Sequence, residues 1–111
     1  MNFKKLKGLV PAVVQDADSG EVLMVGFMND EALQRTRATG FATFFSRSRN
    51  ALWTKGETSG NRLKVTALLV DCDEDTVLVK VRREGKGNVC HLDRVSCFCP
   101  YVENAAVGER R

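Results

Sequence analysis

Apolar and polar positions alternate along most of the chain, and this pattern predicts a mainly β protein. Ala12–Ala17 and Glu21–Met28 are β-leaning runs separated by Asp18-Ser19-Gly20, a turn sequence that pairs them as a hairpin. A short helix is expected over Asp30–Thr39. Asn29 caps it, Asp30 and Glu31 suit the positive end of its dipole, Met28 staples onto Leu33, and Gly40 provides a left-handed stop. Phe41–Ser46 reads as a strand. Residues 46–61, SRSRNALWTKGETSGN, hold too many turn formers for one long element, with Ala51–Thr54 a short strand inside them. Arg62–Val70 and Thr76–Arg83 form the arms of a second hairpin. Glu84–Asn88 is a flexible turn, Val89–Pro100 a cysteine-bearing segment, and Glu103–Arg111 a flexible tail. The expected fold is mainly β (α+β): a small β-sheet or barrel-like single domain with one short helix. Its apolar arms are too few to close a barrel alone, so a dimer that completes the sheet is expected.

The chain has 111 residues, 43% of them hydrophobic, enough for one modest core. Lys and Arg number 17 against 14 Asp and Glu, a mild excess that argues against wholesale nucleic-acid coating. The opening MNFKKLKGLVPAVVQD has basic residues, but its apolar run is short and is interrupted by Pro11. It reads as mature protein rather than a signal peptide. No apolar run is long enough to span a bilayer, so a soluble, cytoplasmic protein is expected.

Three groups of residues can carry chemistry. Asp71, Asp73 and Asp75 alternate within LLVDCDEDTVLVKV, so an extended backbone would put their carboxylates on one face and Cys72 on the other. Hard oxygen ligands suit magnesium or calcium, and thiolate suits zinc. A solvated acidic turn is the competing reading. An EF-hand is excluded, because Thr76 stands at its glycine position and Arg82 at its twelfth.

The second group is Cys72, Cys90, Cys97 and Cys99, with the sole histidine, His91, beside Cys90. The absence of a CxxC pair disfavours a closed structural zinc site. Three thiolates with an open position would suit catalytic zinc, with His91 as fourth ligand or proton carrier.

The third group is a basic loop. Between Arg47 and Lys64, five basic residues (Arg47, Arg49, Lys55, Arg62, Lys64) face one acidic residue, Glu57. Hydroxyls at Ser46, Ser48, Thr58 and Ser59, with Gly56 and Gly60, offer donors for a phosphate, and Trp53 offers a face for a base. Together the groups point to a metal-dependent hydrolase acting on a phosphorylated, nucleotide-like compound.

ATFFSRSRNALWTKGETSGN, VDCDEDTVLVKV and VCHLDRVSCF, in that order, resemble the phosphoribosyl-AMP cyclohydrolases of histidine biosynthesis, and VLMVGFMNDEAL resembles the early strand-into-helix segment of that family. The resemblance covers roughly Val10–Phe98. It implies a cyclohydrolase-like domain over residues 1–102 and hydrolytic opening of the adenine ring of 1-(5-phosphoribosyl)-AMP at N1–C6 by zinc-activated water. The product would be a formimino-linked carboxamide ribotide.

The resemblance further implies magnesium at Asp71, Asp73 and Asp75, and zinc at Cys72, Cys90 and Cys97. Each zinc site would be shared across an intertwined homodimer, with Cys72 from one subunit and Cys90 and Cys97 from the other. The substrate segment would comprise Ser46, Arg47, Ser48, Trp53, Lys55, Gly56, Glu57, Ser59, Gly60 and Asn61, with His91 as the catalytic proton carrier. Neither nucleic acid nor membrane is implied as a partner.

Two positions depart from the family pattern. Cys90-His91-Leu92-Asp93 has Asp93 where the family usually has glycine, and Cys99 lies outside the three-ligand set. Some relatives carry a second, C-terminal pyrophosphohydrolase domain, for which the sequence after the cysteine segment leaves no room. Two other readings compete with this one. A zinc-stabilised small β module binding single-stranded nucleic acid through the basic loop and Trp53 is the main alternative. A base deaminase lacks support, because its His-x-Glu and Pro-Cys-x-x-Cys signatures are missing.

Overall fold

A computed structural model describes residues 1–100, except for the side chains of Lys5 and Leu6. The tail expected to be flexible lies outside the described residues. A 3-10 turn, Phe3–Leu6, precedes strands β1 (Val10–Asp16) and β2 (Val22–Met28), helix α1 (Asp30–Thr39), and strands β3 (Thr43–Ser46), β4 (Ala51–Thr54), β5 (Leu63–Val70) and β6 (Val77–Arg83). Mainly β architecture with one helix is therefore observed.

Strands β2-β1-β6-β5 form one sheet, while β3 and β4 form a separate two-stranded hairpin. β1 pairs antiparallel with β2 and parallel with β6; β5 and β6 are antiparallel. The sheet is open, with β2 and β5 at its edges.

Alternation assigns its two faces. Val10, Ala12 and Val14 from β1 and Val77, Val79 and Val81 from β6 are buried on one side, joined by Leu23, Met28, Phe44 and Leu63. On the other side, Val13 pairs with Val25 and with Leu78, and Leu78 pairs with Leu69. These pairs make an apolar row across all four strands, exposed at both ends, where Val25 and Leu69 keep 46% and 44% of their surface.

The helix forms where its local signals place it. Asn29 Oδ1 accepts the Ala32 N–H at 2.8 Å, and Gly40 takes φ +79° with its N–H on the Thr36 carbonyl. Buried Thr36 fastens the helix to β3, because its hydroxyl accepts the Thr43 N–H at 3.0 Å. The β3–β4 hairpin approaches β2 at Gly26, where an added Cβ would strike the Phe44 ring at 2.6 Å. That glycine permits the contact on which the hairpin's position depends.

Several strand ends differ from expectation by one residue, and two starts differ by two. β1 starts at Val10 instead of Ala12. Pro11 is tolerated because pairing with β6 begins only at Ala12. β3 starts at Thr43, and Phe41 makes only an isolated bridge with Lys64. Among the described residues, no helix is long and apolar enough to cross a membrane.

Candidate active site

Asp71, Asp73 and Asp75 lie in the connection between β5 and β6, and the backbone there is turned rather than extended. Asp71 Oδ1 accepts the N–H groups of Asp75 and Thr76 at 3.0 and 3.1 Å. Glu74 takes φ +61° and returns its N–H to the Asp71 carbonyl at 3.1 Å. Convergence of the three carboxylates thus comes from a folded loop instead of strand alternation.

One oxygen from each lies within 4.8 Å of the others. At Asp75, loss of water and hydrogen bonding to the neighbouring Asp71 and Asp73 carboxyls push the pKa up. At Asp71, loss of water pushes the same way, but hydrogen bonds from the Asp75 backbone, the two carboxyl neighbours and the Thr76 N–H outweigh it and lower the pKa. Crowded oxygens of one charge fit a hard divalent cation, which would relieve their repulsion. Cys72 is exposed on the same turn.

The other cysteines lie on the segment after β6. It is tied to β2 by the Cys97 N–H on the Leu23 carbonyl at 2.8 Å and by buried Ser96, whose hydroxyl donates to the Val22 carbonyl at 2.8 Å. Cys90 is buried. Its sulfur accepts the Leu92 N–H at 3.5 Å, and its carbonyl accepts the Asp93 N–H at 3.1 Å.

Asp93, the departure from the family's glycine, takes φ +60°, a conformation that aspartate tolerates better than most residues. Burial pushes the Cys97 thiol pKa up and the adjacent Cys90 adds to the shift, while the Lys55 ammonium opposes it. Two soft donors therefore lie together, the chemistry zinc prefers. Among the described residues, the carboxylate trio is the sole cluster of three or more metal-ligating groups, so Cys72 does not join Cys90 and Cys97 within one chain. His91 is exposed beside Cys90, and Cys99 is also exposed.

The basic loop is divided among adjoining hollows. A cavity of about 520 Å³ takes Ser46, Arg47, Ser48 and Trp53, together with Gly26, Phe27 and Phe45. Trp53 rests one side on Phe44, with ring centroids 5.1 Å apart, and also borders a hollow of about 250 Å³ that includes Gly56, Glu57 and Ser59. Gly56, Glu57 and Gly60 line a third hollow with Phe41 and Arg62.

Gly56 takes φ +78°, and a Cβ there would collide with the Asn61 backbone, so this turn requires glycine. Lys55 places its ammonium 5.7 Å from the Trp53 ring centroid. Asn61 has a structural bond: its Oδ1 accepts the Lys86 N–H at 2.9 Å and holds the loop to the 84–88 turn.

Gly26 and Phe27 were missed as cavity residues by the sequence reading, because they lie on β2, twenty residues before the loop. The available signal was a glycine inside a strand, which marks close approach of another segment. The Arg47 guanidinium carbon stands 4.1 Å from the centre of the Phe27 ring.

The model of the phosphoribosyl-AMP cyclohydrolase family matches residues 24–99. The phosphoribosyl-AMP cyclohydrolase of Caulobacter sp. (strain K31) is 57% identical over 103 residues, covering 93% of this chain and 77% of that protein. That of Desulfatibacillum aliphaticivorans is 53% identical over 112 residues, covering 98% and 89%. The histidine biosynthesis bifunctional protein HisIE of Xanthomonas campestris pv. campestris is 57% identical over 98 residues, covering 88% of this chain and 47% of that protein. Identity above one half over more than nine-tenths of this chain and more than three-quarters of the two cyclohydrolases leads to one conclusion: the chain belongs to the phosphoribosyl-AMP cyclohydrolase family.

Proposed function

We propose that the protein is a hydrolase of histidine biosynthesis that opens the adenine ring of 1-(5-phosphoribosyl)-AMP at N1–C6. Family membership supports the reaction. The observation that carries the site is the thiol pair on one chain with Cys72 displaced to the acidic turn.

Cys90 and Cys97, with Cys72 of a second copy, would hold zinc, which when bound supplies a water acidic enough to act as nucleophile near neutral pH. Asp71, Asp73 and Asp75 would hold magnesium, which when bound offsets the charge of substrate phosphate. Substitution at N1 makes the adenine ring cationic and C6 electrophilic. Exposed His91, one residue from Cys90, would take a proton from the attacking water and deliver it to the departing N1 nitrogen. Ser46, Arg47 and Ser48 would bind phosphate, and Trp53 would limit the position of the nucleoside. Lys55, Gly56, Glu57, Ser59, Gly60 and Asn61 complete the proposed substrate segment, with Asn61 holding its shape.

The second copy has a surface to use. The row Val25–Val13–Leu78–Leu69 and the exposed Leu92, Val95 and Phe98 are apolar and fit a self-complementary dimer contact. Residues 1–102 form the proposed catalytic unit, and the cytoplasm is its proposed compartment.

The test is complementation. Cys72→Ala and Cys97→Ala are each expected to be inactive on phosphoribosyl-AMP with zinc and magnesium supplied. Co-expressed, they should regain up to about half of the wild-type activity per mixed dimer, because one site then has all three thiols. Full activity in Cys97→Ala alone would defeat the zinc assignment, and no recovery in the mixture would defeat sharing.

A further inference from the structure

Three aromatic residues, Phe27, Phe45 and Trp53, line the cavity beside the basic loop, and the two that have a cation beside their ring, Trp53 and Phe27, differ in how that cation is held. Trp53 is covered on one side by Phe44 and has the half-buried Lys55 ammonium 5.7 Å from its centroid. A cationic ring laid there would meet the like charge of this half-buried ammonium. Phe27 instead faces an exposed, long-stemmed arginine, with the Arg47 guanidinium 4.1 Å above the ring centre. A guanidinium is a planar cation with its charge spread over three nitrogens on one carbon, and an adenine substituted at N1 carries a planar amidinium with its charge spread over N1 and N6 on C6. The two share planarity and a positive charge delocalised over nitrogens on one carbon.

We infer that Phe27 is the specificity-determining residue that recognises the cationic, N1-substituted adenine ring of the substrate, on the face held here by the Arg47 guanidinium. The inference rests on the activity proposed above. Attraction between the ring quadrupole and a cation favours the N1-substituted purine over ordinary AMP, whose adenine is neutral. Arg47, displaced from Phe27, stays within the same cavity as Ser46 and Ser48, so its charge becomes available to the phosphate. Substrate entry thus exchanges one planar cation for another.

Calorimetric binding of N1-methyl-AMP and of AMP, with zinc and magnesium supplied, tests the exchange alongside phosphoribosyl-AMP kinetics. Wild type should prefer the methylated, cationic ligand roughly tenfold, and Phe27→Tyr should retain that ratio. Phe27→Leu should bring the ratio to about one and raise KM roughly tenfold with kcat little changed. Arg47→Ala, which clears the ring without altering it, should raise the ratio above that of wild type and remains informative should Phe27→Leu fail to fold. An unchanged ratio in Phe27→Leu, or in Arg47→Ala if the leucine variant does not fold, overturns the role of Phe27. Absence of phosphoribosyl-AMP turnover by the metal-supplied wild type overturns the underlying activity instead.

Discussion

Arg83 Nε lies 2.8 Å from Asp16 Oδ2, joining the last residues of two parallel strands, β1 and β6. The other Asp16 oxygen accepts the N–H groups of Asp18 and Ser19, both at 2.9 Å, and Arg83 also donates to the Gly87 carbonyl at 2.8 Å. One buried carboxylate thereby organises the β1–β2 turn and, through Arg83, the turn after β6.

The Ser19 N–H holds the Asp16 carboxyl low; burial opposes it, and Arg83 and the Asp18 N–H add to it, bringing the pKa down to about 2. A depressed folded-state pKa contributes stability above the unfolded value, near 4, and that contribution is lost as pH falls toward about 2. Urea midpoints should therefore decline over that window in wild type. Asp16→Ala should cost about 2 kcal/mol near neutral pH and show a smaller decline. Equal declines in both proteins would remove Asp16 as the cause.

Gly26→Ala is expected to destabilise the protein by about 1–3 kcal/mol, because its new methyl group overlaps the Phe44 ring. Phe44→Leu in the same chain should recover part of that loss. Urea unfolding of the two single variants and the double variant measures the coupling, and strict additivity would contradict the contact.

At Asp93, φ +60° sets the order of tolerance: glycine, then aspartate, then a β-branched residue. Asp93→Gly should retain or slightly raise stability. Asp93→Val should cost about 1–2 kcal/mol and weaken retention of the proposed zinc, because the Cys90 carbonyl accepts the Asp93 N–H. Thermal unfolding and zinc loss to a competing chelator report the two effects separately.

The acidic turn gives Asp71 a structural duty, acceptance of the Asp75 and Thr76 N–H groups, in addition to its place in the proposed magnesium site. Asp71→Ala should weaken magnesium binding and also cost about 1 kcal/mol in the metal-free protein, through loss of two turn hydrogen bonds. Asp73→Asn, which removes a charge and keeps the shape of the side chain, should weaken binding at the proposed magnesium site with a smaller change in metal-free stability. Magnesium titration with paired thermal melts checks both, and identical behaviour of the two variants would refute the structural duty.

What the sequence disclosed depended on how local each signal was. Asn29 and Gly40 specify α1 from its own ends, and its bounds follow. The β5–β6 hairpin was readable from its arms, although the role of Asp71 as the turn's internal acceptor was hidden by the expectation of extended backbone. Parallel pairing of β1 with β6 left no mark in either strand, because a buried alternating run fits several neighbours equally well. Phe27 was hidden for the same reason: its relation to Arg47 exists only after the β3–β4 hairpin has packed against Gly26. The motif residues could be recognised one by one, but the distance of Cys72 from the thiol pair belongs to the three-dimensional chain.

The place of β1 inside the sheet, between β2 and β6, also constrains how the protein emerges from the ribosome. The β1–β2 hairpin can pair early, yet one side of β1 must await β6, about sixty residues later in synthesis. Until then an apolar strand edge is open to other nascent chains. Slowing elongation before β6 should lengthen that exposure, and speeding completion of β6 should shorten it, so translation rate becomes a determinant of yield.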